Sequence, residues 1–274
     1  MTVWLNGTIV PPGAARISVL DHGLTTGDGV FEALKIIRGV PFALTRHLTR
    51  LRASADGLGL PEPDTDRIRA AVAEVLADAG HPGEGRIRIT VTAGEAALGS
   101  ERGDSGLTTV IVLGPPRDAS PTADVVTFPH PRNERAALAG VKTTSYAENV
   151  VALAYARQRR ATEAIFGNLA GNLCEGTGTN VFLVSGGRLV TPPLSAGCLA
   201  GVTRGLVIQW AGAAEEDLPL IALAGADEAF LTGTSRGVQP IRAVDGAELP
   251  AVPGPVTAKA AEIYAERAAQ NPDP

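Results

Sequence analysis

The run Arg86-Ile87-Arg88-Ile89-Thr90-Val91-Thr92 constrains the fold more than any other stretch. Apolar and polar residues alternate in it, and a period of two belongs to a strand with one buried face. Ile87, Ile89 and Val91 therefore face a core, while Arg86, Arg88, Thr90 and Thr92 share the other side. Neighbouring arginines repel one another unless an anion or carboxylate sits between them. That face is either a solvated sheet surface or a carboxylate site. Residues 107–113 read as the neighbouring strand. Residues 30–37 are a further strand, turning at Arg38-Gly39 into 40–44, and 3–10 are strand broken at Asn6-Gly7. Thr45 is positioned to cap a helix over 46–58, and Asp64 or Thr65 one reaching residue 79. Strands and helices without a regular βαβ repeat predict an α+β first domain.

A chain of 274 residues is long for a single core. The turn-rich 116–122 reads as a linker between a domain at 1–115 and another at 123–274. In the second, 163–166 is a strand, 181–184 and 189–191 a hairpin, and 229–232 a further strand. Helices are expected over 146–159, after Gly201-Val202-Thr203, and over 255–269. The net charge of −5 and the scattered basic residues give no nucleic-acid footprint. No leader-like segment and no bilayer-length apolar run is visible, and Cys174 and Cys198 form no disulfide framework. These features read as a reduced, cytoplasmic protein with no membrane partner. His22, His47, His81 and His130 lack metal-ligand spacing.

Lysine is scarce: Lys35, Lys142 and Lys259 are the whole set. Lys259 lies with Glu262 and Glu266 on one helix face, where solvated ion pairs account for it. Lys142 precedes Ser145 and Glu148, which have capping-box spacing. A helix N-terminus at that point, with any burial, would push the amine towards its neutral, nucleophilic form. On spacing alone a surface lysine remains the simpler reading. Glu175 opens Glu175-Gly176-Thr177-Gly178-Thr179-Asn180, where small residues would let backbone approach a flat ligand and a carboxylate could hold a ring nitrogen. Ala200-Gly201-Val202-Thr203 and Thr232-Gly233-Thr234-Ser235 could each hold an anion through backbone N–H groups. Neither fits the Walker or dinucleotide pattern. Arg50 could neutralise such an anion. Each part taken singly is more simply a cap, a turn or a surface charge. Together they are what pyridoxal phosphate requires.

The motifs, in their order, resemble the class IV aminotransferases, the fold-type IV enzymes of pyridoxal 5′-phosphate. This family includes branched-chain aminotransferase, D-amino acid transaminase and aminodeoxychorismate lyase. The resemblance rests on Gly27-Asp28-Gly29-Val30-Phe31-Glu32, His47-Leu48-Thr49-Arg50-Leu51, Lys142, the Glu175–Asn180 segment, Leu199-Ala200-Gly201-Val202-Thr203-Arg204 and Thr232-Gly233-Thr234-Ser235. It implies two α/β domains holding the cofactor, Lys142 as the Schiff-base and proton-transfer group, and Glu175 on the pyridine nitrogen. Arg50, Val202, Thr203 and Thr234 would hold the phosphate, Leu199 the ring face, and Tyr146 the ring hydroxyl. The spacing of Tyr146 from Lys142 differs from the branched-chain enzymes by a residue.

The substrate side would comprise Arg86, Arg88, Phe31, Thr26, Ser235 and Arg236. A homodimer is implied, with loop 21–27 completing the neighbouring subunit's site. Gly27-Asp28-Gly29-Val30 resembles the D-amino acid transaminase and lyase branches. The R-x-H carboxylate trap of the D-amino acid enzymes is not evident in 94–103, whereas Arg88 falls where branched-chain enzymes carry an arginine. The resulting expectation is a transaminase acting between amino acids, D-configured by preference, and α-keto acids. The alternative is an aminodeoxychorismate lyase forming 4-aminobenzoate and pyruvate. A branched-chain L-amino acid or (R)-amine transaminase is a third reading, and a pyridoxal phosphate-binding protein without turnover a fourth.

Overall fold

The computed structural model describes residues 1–117 and 120–274. The chain divides into two compact units. The first comprises Met1–Asp118, Val141–Tyr146 and Asn271–Pro274, and the second Ala119–Gly140 and Ala147–Gln270. The sequence predicts one continuous second domain at 123–274, yet the Lys142 segment and the C-terminal residues group with the first unit. Residues 118 and 119 of the expected linker lie outside the described residues.

The first unit contains β1 (Thr2–Leu5), β2 (Thr8–Val10), α1 (His22–Thr25), β3 (Gly29–Ile37), β4 (Val40–Pro41), α2 (Leu44–Leu58), α3 (Thr65–Asp78), β5 (Glu84–Thr92) and β6 (Thr108–Gly114). Its six strands run in the order β2-β1-β6-β5-β3-β4, and every pairing is antiparallel. The alternation expected of β5 holds: Ile87, Ile89 and Val91 are fully buried, while Arg86 and Arg88 are exposed. These apolar residues join Leu34 and Ile36 of β3 and Ile111 of β6 in one core. The core is closed by Leu48 and Leu51 of α2 and by Ile68, Val72 and Val75 of α3. Each such side chain contributes about 1.5–3 kcal/mol by leaving water.

Thr45 does not cap α2. The helix starts at Leu44, two residues earlier than expected, behind Ala43 in a left-handed conformation with φ 56°. Thr45 lies in the first turn, where its N–H donates to Asp273 Oδ1 at 2.8 Å and its hydroxyl to Asp273 Oδ2 at 2.6 Å. An acid from the far end of the chain thus occupies the place of a local cap. Asp64 caps α3 as expected, accepting from the Arg67 N–H at 2.8 Å.

The second unit contains β7 (Ala123–Arg132), α4 (Ala147–Gln158), β8 (Glu163–Asn168), β9 (Leu173–Gly176), β10 (Asn180–Ser185), β11 (Arg188–Thr191), α5 (Val202–Ala211), β12 (Ala214–Glu215), β13 (Glu228–Gly233), β14 (Gly237–Val244), β15 (Ala247–Glu248) and α6 (Pro255–Gln270). Its nine-stranded sheet runs β12-β11-β10-β13-β14-β7-β8-β9, with β15 on β14. The sheet is mixed: β14, β7 and β8 pair in parallel, while β8–β9 and β10–β13 pair antiparallel. The predicted hairpin forms across Gly186 and Gly187, both at positive φ, as a tight right-twisted turn requires. β14 escapes a reading by pattern because Gly237, Gln239, Pro240 and Arg242 break its apolar run. Among the described residues no helix is long and apolar enough to cross a membrane.

Candidate active site

In the first unit the Lys142 segment is not the helix start expected from the sequence. It is a short extended strip laid along β3. Thr143 bridges Val30, the Phe31 N–H donates to the Lys142 carbonyl at 3.0 Å, and the Thr144 N–H donates to the Gly29 carbonyl at 2.7 Å. The Lys142 N–H is 3.2 Å from Ser54 Oγ of α2. Ser145 and Thr144 both direct their hydroxyls at the Gly27 carbonyl. Helix α4 begins only at Ala147. Lys142 thus lies outside the first turn of α4 in the chain, the range over which a helix dipole acts.

This register places the Lys142 side chain on the same sheet face as Phe31. Its Nζ lies 4.4 Å from the Phe31 ring centroid. Arg88, diagonal to Phe31 across β5, sets its guanidinium 3.9 Å from the same centroid, and the Tyr146 ring meets it edge-on at 5.4 Å. Partial burial draws the Arg88 guanidinium below its ordinary value, Tyr146 pulls the other way, and the Arg86 charge adds to the lowering. Thr26 donates its hydroxyl to the His22 carbonyl at the end of α1.

Arg50 is engaged on the other face of β3. Its Nε and Nη2 each lie 2.7 Å from an oxygen of Glu32, and His47 Nδ1 is 2.6 Å from the same carboxylate. Glu32 and His47 are almost entirely inaccessible. Burial alone would raise the Glu32 carboxyl. The charge and hydrogen bonds of Arg50, helped by His47, outweigh it and hold the group at about 2. Burial pulls His47 below its ordinary value against the pull of Glu32. Lys35, on the Phe31 side of β3, is lowered by burial to about 8.

In the second unit Glu175 sits on β9. Its Oε2 accepts the Leu199 N–H at 2.9 Å, and its Oε1 lies 3.5 Å from Arg132 Nη2. The Arg132 guanidinium stacks 4.1 Å above the Phe166 ring. Asn180 Nδ2 donates to the Leu199 carbonyl at 2.9 Å, which also accepts the Gly201 N–H at 2.8 Å. Leu199 is therefore held on both sides of its backbone. Helix α5 starts behind Gly201 with no side-chain cap, an arrangement suited to an anion at Val202 and Thr203. Gly201 is required there for space, since a Cβ would sit 2.0 Å from Asn180 Oδ1. Gly201→Ala is expected to cost about 1–3 kcal/mol, measured by urea unfolding. Thr234 and Ser235 lie in the turn from β13 to β14. Arg236 points to Glu163 at 3.2 Å and to Gln239 at 2.6 Å.

The structure thus gathers Lys142, Phe31, Tyr146, Arg86 and Arg88 on one sheet face, with Arg50 on the opposite side of β3. Glu175, Leu199, Val202 and Thr203 form one group in the second unit, and Thr234, Ser235 and Arg236 belong to its β13–β14 turn. From the sequence no role falls to Glu163, Arg132, Glu32 or His47. The available signal was a carboxylate within an apolar strand, which must find partners.

Residues 29–244 match the class IV amino-transferases, and the chain belongs to that family of pyridoxal phosphate enzymes. A Methanocaldococcus jannaschii protein, provisionally named a branched-chain-amino-acid aminotransferase, is 34% identical over 90% of this chain and 88% of its own. The D-alanine aminotransferase of Bacillus licheniformis is 28% identical, covering 94% and 93%. The branched-chain aminotransferase of Thermoproteus uzoniensis, solved with norvaline, superposes with a TM-score of 0.89 at 30% identity, covering 97% and 94%. The mixed α/β, fold-type IV architecture expected from the sequence is borne out by that likeness.

Proposed function

We propose that this enzyme moves an amino group between an amino acid, D-configured by preference, and an α-keto acid, with Lys142 as its reacting base. The observation that carries this reading is the placement of Lys142 Nζ and the Arg88 guanidinium on one Phe31 ring. A nucleophilic amine and a fork for a carboxylate are the two groups an amino acid needs.

The residues present fit pyridoxal 5′-phosphate. The uncapped N-terminus of α5, with the close Gly201 approach, suits its phosphate, and the Glu175 carboxylate suits its ring nitrogen. When bound, the cofactor supplies a carbonyl for amines and a ring that accepts the electron pair released at the substrate Cα. Lys142 anchors it and moves the proton from Cα. Glu175 holds the ring nitrogen in its protonated form. Val202, Thr203 and Thr234 grip the phosphate through backbone N–H groups, and Arg50 supplies positive charge. Leu199 presses on the ring, and Tyr146 orients its hydroxyl. Arg88, with Arg86 beside it, holds the substrate carboxylate. Phe31 and Ser235 shape that side, and Thr26 does so for the neighbouring subunit's site. The enzyme works as a homodimer, in which loop 21–27 serves the neighbouring subunit.

The D-preference draws support from Gly27-Asp28-Gly29-Val30 and from the Bacillus licheniformis relative. The relatives named branched-chain enzymes favour L-branched-chain amino acids as a second reading. Offering D-alanine, D-glutamate, L-leucine and aminodeoxychorismate separately, and following the bound cofactor by absorbance, tests both. Conversion to the pyridoxamine form with D-acids is the expected result. Conversion with L-leucine alone would replace the first reading by the second, and pyruvate release from aminodeoxychorismate without conversion would overturn both.

Arg88→Ala should raise KM for the amino acid by about 10–100-fold, the loss of a charge-assisted pair. Arg86→Ala should do less, because Arg88 is the one stacked on Phe31. If both variants kept the wild-type KM, the carboxylate is held elsewhere.

A further inference from the structure

Glu163 opens β8 and is 1% exposed. A carboxylate removed from water is strongly disfavoured unless donors and a cation surround it. Glu163 has both. Its Oε1 accepts the Thr177 N–H at 3.1 Å and the Thr177 hydroxyl. Its Oε2 is 3.3 Å from Thr179 Oγ1 and 3.2 Å from Arg236 Nη2. These donors come from two separate segments. Thr177 and Thr179 belong to the turn that follows Glu175, and Arg236 comes next after Ser235.

The turn after Glu175 is wrapped closely around this carboxylate. Gly176 donates its N–H to the Thr179 carbonyl at 2.8 Å. A Cβ at Gly176 would lie 2.2 Å from Thr179 Oγ1 and 3.2 Å from Glu163 Cγ. Arg236 is equally committed. Its Nη1 lies 2.6 Å from Gln239 Oε1, and Gln239 in turn donates to the Ser120 carbonyl at 2.6 Å. An arginine in that position reads from sequence as an additional cation for the substrate. The geometry gives its charge a different destination.

We propose that Glu163 is a positioning residue of the cofactor site, with Arg236 as its counter-ion rather than a substrate-binding group. One buried carboxylate fastens both the strand end that carries Glu175 and the turn that carries Thr234 and Ser235. It sets the ring-nitrogen acid and one phosphate-binding turn in register. This inference rests on the reading that Glu175 and Thr234 hold pyridoxal phosphate.

The test is titration of the apoprotein with pyridoxal 5′-phosphate, followed by absorbance, for wild type, Glu163→Gln, Arg236→Met and the double variant. Each single change should raise the cofactor Kd about tenfold. The double variant should lose less than the product of the two, because each change removes the same pair. The KM for the amino acid, measured on cofactor-saturated protein, should not follow the Kd. Should Glu163→Gln not fold, Thr179→Val removes a single donor to the same carboxylate and should raise the Kd about threefold. An unchanged cofactor Kd in the folded variants overturns the inference. So does an Arg236→Met protein whose substrate KM rises while its cofactor Kd stays put, which would make Arg236 a substrate group. A wild-type protein that binds no pyridoxal phosphate would instead remove the functional reading beneath both.

Discussion

Replacing Lys142 by alanine is expected to lower amino-group transfer at least about a thousandfold, since the proposed nucleophile and proton carrier is lost with it. The fold should survive. Lys142 holds its place through its backbone: its carbonyl accepts from Phe31, its N–H approaches Ser54, and Thr143 and Thr144 continue the pairing with β3. All of that persists in an alanine variant. The contact of the Lys142 ammonium with the Phe31 ring is worth only about 0.5–1 kcal/mol. Steady-state turnover and urea unfolding measured on one preparation separate the two effects. A variant that keeps a tenth of wild-type turnover would place the reacting amine elsewhere.

The second large effect falls on stability and resides in Glu32. Its folded carboxyl stands at about 2 against an ordinary 4.5. A depressed carboxyl contributes stability that is present above the ordinary value and is lost as pH falls towards the folded one. The wild-type protein should therefore lose about 3 kcal/mol between roughly pH 4.5 and 2 from this group. His47 acts in the same direction from higher pH, because burial disfavours its protonated form. Glu32→Gln leaves Arg50 beside a neutral amide and should cost about 3–5 kcal/mol at pH 7. Urea midpoints at pH 7, 4 and 3 check both statements. The variant should show a smaller fall with acid than the wild type, and an equal fall in both would dissociate acid sensitivity from Glu32.

Some of this molecule is legible in its sequence because the responsible forces are local. The alternation of β5 gave its buried face and placed Arg86 and Arg88 together. The capping acid Asp64 and the Gly186-Gly187 turn follow from backbone chemistry within a few residues. What escaped is non-local. The strip around Lys142 owes its conformation to pairing with β3, far away in the chain, so a local reading put it in the wrong unit and at a helix start. Thr45 looked like a cap because nothing nearby shows that Asp273 serves α2. The charge of Arg236 is visible in the sequence, but its partner Glu163 is not. Even so, Glu163 within Ala161-Thr162-Glu163-Ala164-Ile165-Phe166 and Glu32 within β3 carried a signal. An acid in an apolar strand must be paired, and tracing its partners finds both clusters.

Lys142 is the lysine proposed to carry the cofactor, and the scarcity of lysine makes this testable without ambiguity. Lys35 is the serious rival: burial lowers it to about 8, and it shares the Phe31 side of β3. Lys259 is exposed and paired with Glu262 at 2.6 Å. Borohydride reduction of the holoenzyme followed by peptide mass mapping fixes the cofactor to the amine that holds it. The added pyridoxyl phosphate mass should fall on the peptide containing Lys142 and be absent from those containing Lys35 and Lys259. Its appearance on the Lys35 peptide instead would make Lys35 the reacting amine.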